Sequence, residues 1–249
     1  MKFNQVAAVI LAAGKSTRLK NKKKKNKVCL KLASKPIIAH TVGNLEQLNL
    51  SQIIVVVGYA KKSVKDILKK RVDYVEQKKQ LGTGHALACA LSNLKPNIKY
   101  ILVLYGDDSA FFPPYILRRV IQAGKKTGSA FSFMTLVKKT PHGLGRIVRD
   151  SQGKVVDIIE EKNASQEQKK IKEINLGGFC FKRSFIEKYI KKIKLDPIAK
   201  ERYLTDIVGI AKKHKYSVET VRLESEGFWY GVNTDEELAL ADKMMSGES

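Results

Sequence analysis

The chain has 249 residues, 43% of them hydrophobic, and a formal net charge of +23. That apolar fraction excludes a disordered chain and allows one domain, or one domain with a small lobe. The charge calls for an anionic partner (nucleotides, phosphorylated substrates, nucleic acid or anionic membrane) and does not choose among them. The cysteines, Cys29, Cys89 and Cys180, are scattered and form no C-x-x-C pair. This argues against a disulfide framework or a zinc site and fits a reducing compartment.

In chain order, the apolar runs Val6–Leu11, Ile53–Val57, Tyr100–Leu104 and Ser129–Leu136 predict buried strands. Pro36–Leu48, Lys62–Lys70, Gly84–Leu94 and Pro114–Ala123 predict the helices between them, with Pro36 and Pro114 in first helical turns. Such alternation implies an α/β fold, a mostly parallel sheet flanked by helices. From Gly143 to Glu160 the pattern changes to short strands around the turn Ser151-Gln152-Gly153. Ala164–Lys170 predicts a loop or surface helix, Ser184–Ile193 a basic amphipathic helix and Thr205–Lys213 another helix. The last helix, Thr234–Met244, carries Thr234 as N-cap and Glu237 three residues on, a capping-box signature. The expected division is residues 1–233 as one catalytic domain and 234–249 as a C-terminal helix and tail.

Val6–Ala13 is too short for a signal-peptide core, has one basic residue before it, and runs straight into a charged loop. No apolar run reaches the length of a membrane span. The expectation is a cytoplasmic protein without membrane insertion.

The first strand ends in Leu11-Ala12-Ala13-Gly14-Lys15-Ser16-Thr17-Arg18. Small residues beyond a strand end let backbone N–H groups approach phosphate oxygens, and Lys15 and Arg18 can neutralise a triphosphate. A Walker A loop would need a glycine where Val9 stands, inside the strand. Gly82-Thr83-Gly84 supplies two glycines of a dinucleotide fingerprint but follows no first strand.

The motif Leu11–Arg18 resembles the L-A-A-G-x-[GS]-T-R signature of sugar nucleotidyltransferases. The resemblance continues in order through Asn26-Lys27-Val28, with Asn for the family's Pro, then Gln77 and Gln80-Leu81-Gly82-Thr83-Gly84-His85-Ala86. Tyr105-Gly106-Asp107, Gly143-Leu144-Gly145-Arg146-Ile147, Glu160, Glu173-Ile174-Asn175, Tyr203-Leu204-Thr205-Asp206 and Gly231-Val232-Asn233 complete it. It spans roughly residues 6 to 240 and is similar to the uridyltransferase domain of bacterial N-acetylglucosamine-1-phosphate uridyltransferases. No hexapeptide repeat of the attached acetyltransferase domain is present. Departures fall at Leu176 for Thr, Leu144 for Tyr, Asp108-Ser109 after Y-G-D, and Phe228-Trp229-Tyr230 before Gly231. All concern the sugar side and leave the sugar open.

The resemblance implies a Rossmann-like nucleotide-diphospho-sugar transferase fold with a small sugar-binding lobe. It implies transfer of a nucleotidyl group from a nucleoside triphosphate, UTP, to a sugar-1-phosphate, with magnesium as cofactor. A monomer is compatible with it, and nucleic acid is not an expected partner. Leu11, Ala12, Ala13, Gly14 and Lys15 would hold the triphosphate, and Arg18 the leaving pyrophosphate. Lys27 would reach the α-phosphate or the sugar phosphate. Asp107 follows an apolar strand to the ligand face and, with Asn233 by resemblance, would hold Mg²⁺. Asp108 is a candidate second ligand read as a solvated neighbour.

Gln77 has a donor and an acceptor for a uracil edge. Gly82 and Thr83 bring backbone near the base, Thr83 also serving as a helix cap. His85 lies in that helix with no catalytic role assigned. Gly145, Glu160, Asn175 and Thr205 would line the sugar pocket. Tyr105 is either a ring face for the sugar or a packed strand-end aromatic. The run Lys22–Lys25 is expected to be a solvated insert near the mouth of the site. Two alternatives stay open: a sibling transferase using another sugar- or alcohol-phosphate or CTP, and a basic binding protein without catalysis.

Overall fold

The computed structural model describes residues 3–15 and 25–247. Arg18 and Lys22 to Lys24 lie outside the described residues, and Lys25 is exposed.

Strand β1 (Phe3–Ala12) leads to a 3-10 turn at Lys27–Cys29 and a two-rung hairpin, β2 (Lys31–Leu32) and β3 (Lys35–Pro36). Helix α1 (Ile37–Glu46), β4 (Leu50–Val57), α2 (Lys61–Leu68), α3 (Thr83–Leu91), β6 (Tyr100–Tyr105) and α4 (Pro114–Gly124) follow the expected order, with one strand not expected, β5 (Asp73–Glu76), between α2 and α3. After β7 (Ser129–Val137) come the hairpin β8 (Arg146–Arg149) and β9 (Val155–Ile159), α5 (Gln166–Lys169), β10 (Glu173–Asn175) and β11 (Phe179–Lys182). The chain ends with α6 (Arg183–Tyr189), α7 (Ile207–Lys213), β12 (Ser217–Arg222) and α8 (Asp235–Ser246).

The sheet runs β5-β4-β1-β6-β11-β7-β10-β8-β9, with β12 also paired to β7. Its β5-β4-β1-β6 portion is parallel. It turns antiparallel where β11 joins β6 and β7, and stays so through β10, β8 and β9. Strand β7 serves both parts: Phe131 and Ser132 pair with β11, Thr135 to Val137 pair with β10, and β12 runs parallel along its other edge.

The alternation of side chains explains the two-layered core. Val6, Ala8, Ile10, Val55, Val57, Leu102 and Leu104 point to one face, under α1, α2 and α4. Ala7, Val9, Ile54, Val56, Ile101 and Val103 point to the other, under α3, α6 and α7. Both faces of β1 are therefore apolar, which is why it reads as a continuous hydrophobic run.

Three local expectations are corrected. Pro36 belongs to β3 with ψ of 139°, and the helix starts after it at Ile37. Gly82, not Thr83, is the residue before α3, in a left-handed conformation with φ of 90°. The basic helix breaks after Tyr189 into a 3-10 turn, Ile190–Lys192. The capping box at Thr234 and Glu237 is present as expected. No described helix is long and apolar enough to cross a membrane.

Where α4 crosses β11, a Cβ on Gly124 would stand 2.7 Å from the Cys180 carbonyl oxygen and 3.0 Å from its Sγ. Alanine elsewhere near a helix end stabilises slightly, whereas overpacking costs about 1–3 kcal/mol. Gly124→Ala is expected to lower the urea midpoint without changing the slope; an unchanged or raised midpoint contradicts this packing.

Candidate active site

The chain leaves β1 toward β4 and β5, then crosses back to place β6 on β1's other side. Ligands of open α/β sheets bind beyond the strand ends at such a reversal. A cleft of about 700 Å³ opens there, lined by Leu11, Ala12, Ala13, Gly14 and Lys15 together with Lys27, Gln77, Gly82, Thr83, Tyr105, Asp107 and Asn233. Twelve residues singled out from sequence thus meet in one cavity of ligand size.

At its floor the Lys27 ammonium contacts the Asp107 carboxylate and donates to Asn233 Oδ1 at 3.1 Å. Lys27 is 6% exposed. An ammonium out of water is costly unless charged or polar oxygens surround it, and these two supply them.

Each member is held by its own backbone device. Asn26 donates from Nδ2 to the carbonyls of Ala12 and Tyr59, both at 2.9 Å, and its Oδ1 accepts from Val28 N at 3.2 Å. These bonds pin the Lys27–Cys29 turn to the end of β1. Gly106 donates to the Leu11 carbonyl at 3.0 Å, and a Cβ on it would crowd Leu11 O and Val28, each 3.1 Å away. Glycine there lets Asp107 follow β6 directly into the cleft. Asn233 N donates to Glu237 Oε2 at 2.6 Å, so the α8 capping box fixes the third member.

Asp107 and Asn233 present a carboxylate and a carboxamide oxygen to one cation, Lys27. That donor set suits a hard ion that keeps phosphate and water ligands, such as magnesium. Asp108 corrects an expectation: it is not a solvated neighbour. Its Oδ1 is buried without a hydrogen-bond partner among the described residues. Burial, then the Asp107 charge, push its carboxyl well above the usual range, with Lys27 opposing.

On the opposite wall Gln77, 3% exposed, donates to the Gly82 carbonyl at 3.1 Å and meets His85 Nδ1 at 2.9 Å. The Gly82 turn is pinned from outside: Arg202 N donates to Leu81 O, Gly84 N to Arg202 O, and Leu204 N to Thr83 Oγ1. A Cβ on Gly82 would meet Arg202 backbone atoms at 2.6 Å.

The sugar-side candidates gather next to Tyr105, although among the described residues Gly145, Glu160, Asn175 and Thr205 do not line the cleft itself. Asn175 N donates to Gly145 O at 2.9 Å, and Thr205 Oγ1 donates to Glu160 Oε1 at 3.0 Å. Burial raises the Glu160 carboxyl, with Thr205 and Lys162 opposing. Burial raises the Tyr105 hydroxyl well above its usual range, helped by Glu160, Asp108 and Asp107. Gly177 packs on the Tyr105 ring, where a Cβ would lie 2.8 Å from it.

Arg146, 1% exposed, pairs with Glu161 at 2.5 Å and holds the Leu144 carbonyl. Sequence reasoning missed Glu161, Asn26's anchoring role and His85's contact with Gln77; no spacing signal marks any of the three.

Apart from Asp108, the sugar-side departures from the family pattern pack against neighbouring side chains or are hydrogen-bonded to them. Leu176 is buried, and Leu144, partly buried, packs against the same core. Ser109 is buried and hydrogen-bonded to Thr41 at 3.0 Å. Trp229 is 7% exposed, Tyr230 packs on Phe111, and Phe228 meets Tyr115 edge-on.

The chain is 39% identical over 242 residues to the bifunctional protein GlmU of Francisella tularensis subsp. novicida strain U112, covering 96% of this chain and 51% of that protein. The same protein of subsp. holarctica strain OSU18 matches to the same extent. The chain thus spans about half the length of these relatives. A Bacillus anthracis crystal structure with bound sucrose, assigned as a glucose-1-phosphate thymidylyltransferase, superposes with a TM-score of 0.75 at 19% identity, over 97% of this chain and 95% of that one. That likeness shows the fold. The family model of the MobA-like NTP transferase domain matches residues 8–171. With β1, the basic loop, Lys27 and Asp107 all inside that span, the chain belongs to the family of MobA-like NTP transferase domains.

Proposed function

We propose that the chain transfers the uridylyl group of UTP to N-acetylglucosamine-1-phosphate, forming UDP-N-acetylglucosamine and pyrophosphate. The supporting observation is the buried Lys27 ammonium held between Asp107 and Asn233 at the floor of the cleft. A sugar phosphate oxygen attacks the α-phosphorus of the triphosphate, and the bond to the β-phosphate oxygen breaks. Both reactants are anionic, so positioning and charge neutralisation supply most of the rate.

Lys27 would stabilise charge on the transferring α-phosphate. Arg18 and Lys15 neutralise the departing pyrophosphate, which leaves past the Gly14 loop. Asp107 and Asn233 would hold magnesium, which when bound supplies positive charge to phosphate oxygens. The Gln77 side-chain oxygen and the Gly82 N–H, neither with a partner among the described residues, suit the N3–H and a carbonyl of uracil. Glu160, Asn175 and Thr205 offer acceptors and donors to sugar hydroxyls and the acetamido group, beside Gly145. The 39% identity to GlmU supports the N-acetylglucosamine choice, as does the finding that Leu144 and Leu176 pack inward.

The deciding experiment is a matrix of nucleoside triphosphates against sugar-1-phosphates, read as pyrophosphate release with magnesium. UTP with N-acetylglucosamine-1-phosphate is expected to turn over fastest. Faster turnover with glucose-1-phosphate or with CTP selects a sibling activity, and no release in any cell of the matrix selects a non-catalytic binding protein.

Asp107→Asn and Asn233→Ala are each expected to cut turnover about 10²–10³-fold, by analogy with loss of one group aimed at transition-state charge. Near-wild-type turnover in both at ordinary magnesium removes them as ligands. Asn26→Ala strands two carbonyls and one N–H that are now paired, so it should destabilise by about 2–3 kcal/mol and lower kcat as Lys27 loosens. An unchanged denaturation midpoint would show that the Asn26 bonds are replaced by water.

A further inference from the structure

The contact of Gln77 with His85 has no part in the reading above, yet its geometry is specific. A carboxamide nitrogen carries two hydrogens. One goes to the Gly82 carbonyl, 3.1 Å away, and the other lies toward His85 Nδ1, 2.9 Å away. With both committed, the Gln77 oxygen is left for a ligand, on a side chain that lines the cleft. Turning the amide over would set oxygen against the Gly82 carbonyl oxygen and the Nδ1 lone pair.

This requires a neutral imidazole protonated on Nε2, since only that tautomer accepts at Nδ1. Burial and the nearby Arg202 charge both lower the His85 pKa from its ordinary value. The other polar neighbour is the Cys89 thiol, 3.9 Å from Nε2 one turn along α3. Its pKa is raised by burial, so it adds no charge.

We infer that His85 is a positioning residue for base selection: by accepting from the Gln77 amide it keeps the Gln77 oxygen turned toward the nucleobase. An oxygen there accepts from the N3–H of uracil and opposes the N3 lone pair of cytosine. The inference rests on the uridylyl reading above. Gly82 and His85 each take one amide hydrogen, so both oppose the rotation that would suit cytosine, and loss of His85 leaves only the Gly82 carbonyl against it.

The test measures kcat/KM for UTP and for CTP with the full chain, as wild type, His85→Leu and His85→Asn. Both nucleotides are assayed on one preparation, so their ratio does not depend on the folded fraction. His85→Leu should lower the UTP-over-CTP ratio about tenfold, as expected for loss of one hydrogen bond with its acceptor, chiefly through KM for UTP. His85→Asn, whose side-chain oxygen can stand where Nδ1 stood, should restore most of the ratio.

A wild-type ratio retained within about twofold in His85→Leu overturns the inference, since the loss of a hydrogen bond would then be invisible. Equal losses of kcat for both nucleotides in the two variants also overturn it, because they mark a structural role. A wild type that prefers CTP overturns the uridylyl reading and this inference together, and is distinguished by being visible before any substitution.

Discussion

Everything in the cleft is arranged around one buried positive charge. Lys27 lies 206 residues from Asn233 in sequence, yet the two are hydrogen-bonded. An ammonium at 6% exposure carries a desolvation penalty that neither partner alone offsets well. The chain must therefore bring together the turn after β1, the turn after β6 and the lead-in to α8. Each arrives on a rigid support: a doubly buried parallel strand, a second such strand, and a capped helix that Asp242 also ties to Ala33 N at 2.8 Å. A loop-mounted lysine in a basic chain would ordinarily be solvated. This one is a structural element because its charge is enclosed.

That enclosure also explains why Lys27 could not be singled out from the surrounding lysine run by spacing or composition. What was legible were features that repeat along the chain. Buried parallel strands show as unbroken apolar runs, and amphipathic helices show as periodic ones, so β1, β4, β6, β7 and α1 to α4 could be placed. Strands β10, β11 and β12 are short or mixed in polarity, and they exist because β7 offers edges to pair with. Nothing local marks them. Pro36 satisfies a first-turn preference that a hairpin overrides. Asp108 looks like a surface acid next to a ligand, but the aromatic segment Phe228 to Tyr230 folds inward near it, and Trp229 is buried. The motif residues of the nucleotide side were legible through resemblance. Their supports, Asn26, Glu161 and His85, act by contacts that no linear pattern encodes.

Asn26 shows how a departure can keep a function. The resembling motif has proline at this place. Asn26 has φ of −70°, the value a proline ring would impose. The torsion at this place is thus one that proline also allows, but the means of holding it differ. Proline fixes it by restricting the torsion, whereas asparagine fixes it by side-chain bonds to Ala12, Tyr59 and Val28. The constraint that matters is the direction in which the Lys27 turn leaves, and two unrelated chemistries can enforce it.

The two subsites proposed above are built on different physics. The base end is a backbone device: a left-handed glycine, a locked amide and a turn clamped to Arg202. The proposed sugar side stands on the β8–β9 hairpin and on the turn before α7, and it is held by polar pairs. Arg146 is almost wholly buried, and its Nε has no partner among the described residues. Buried ion pairs are weak sources of stability, since apolar residues of similar volume often do as well. Their effect here is geometric. Gly145 precedes Arg146 and Glu160 precedes Glu161, so the ion pair sets the separation of two sugar-side residues by fixing their neighbours. Removing Glu161 would leave Arg146 buried and unpaired, which costs more than the pair contributes. Such a pair resists change one residue at a time, while apolar packing next to it does not. Leu144 and Leu176, two of the departures from the resembling motif, lie in such apolar packing, whereas Arg146 is tied to Glu161.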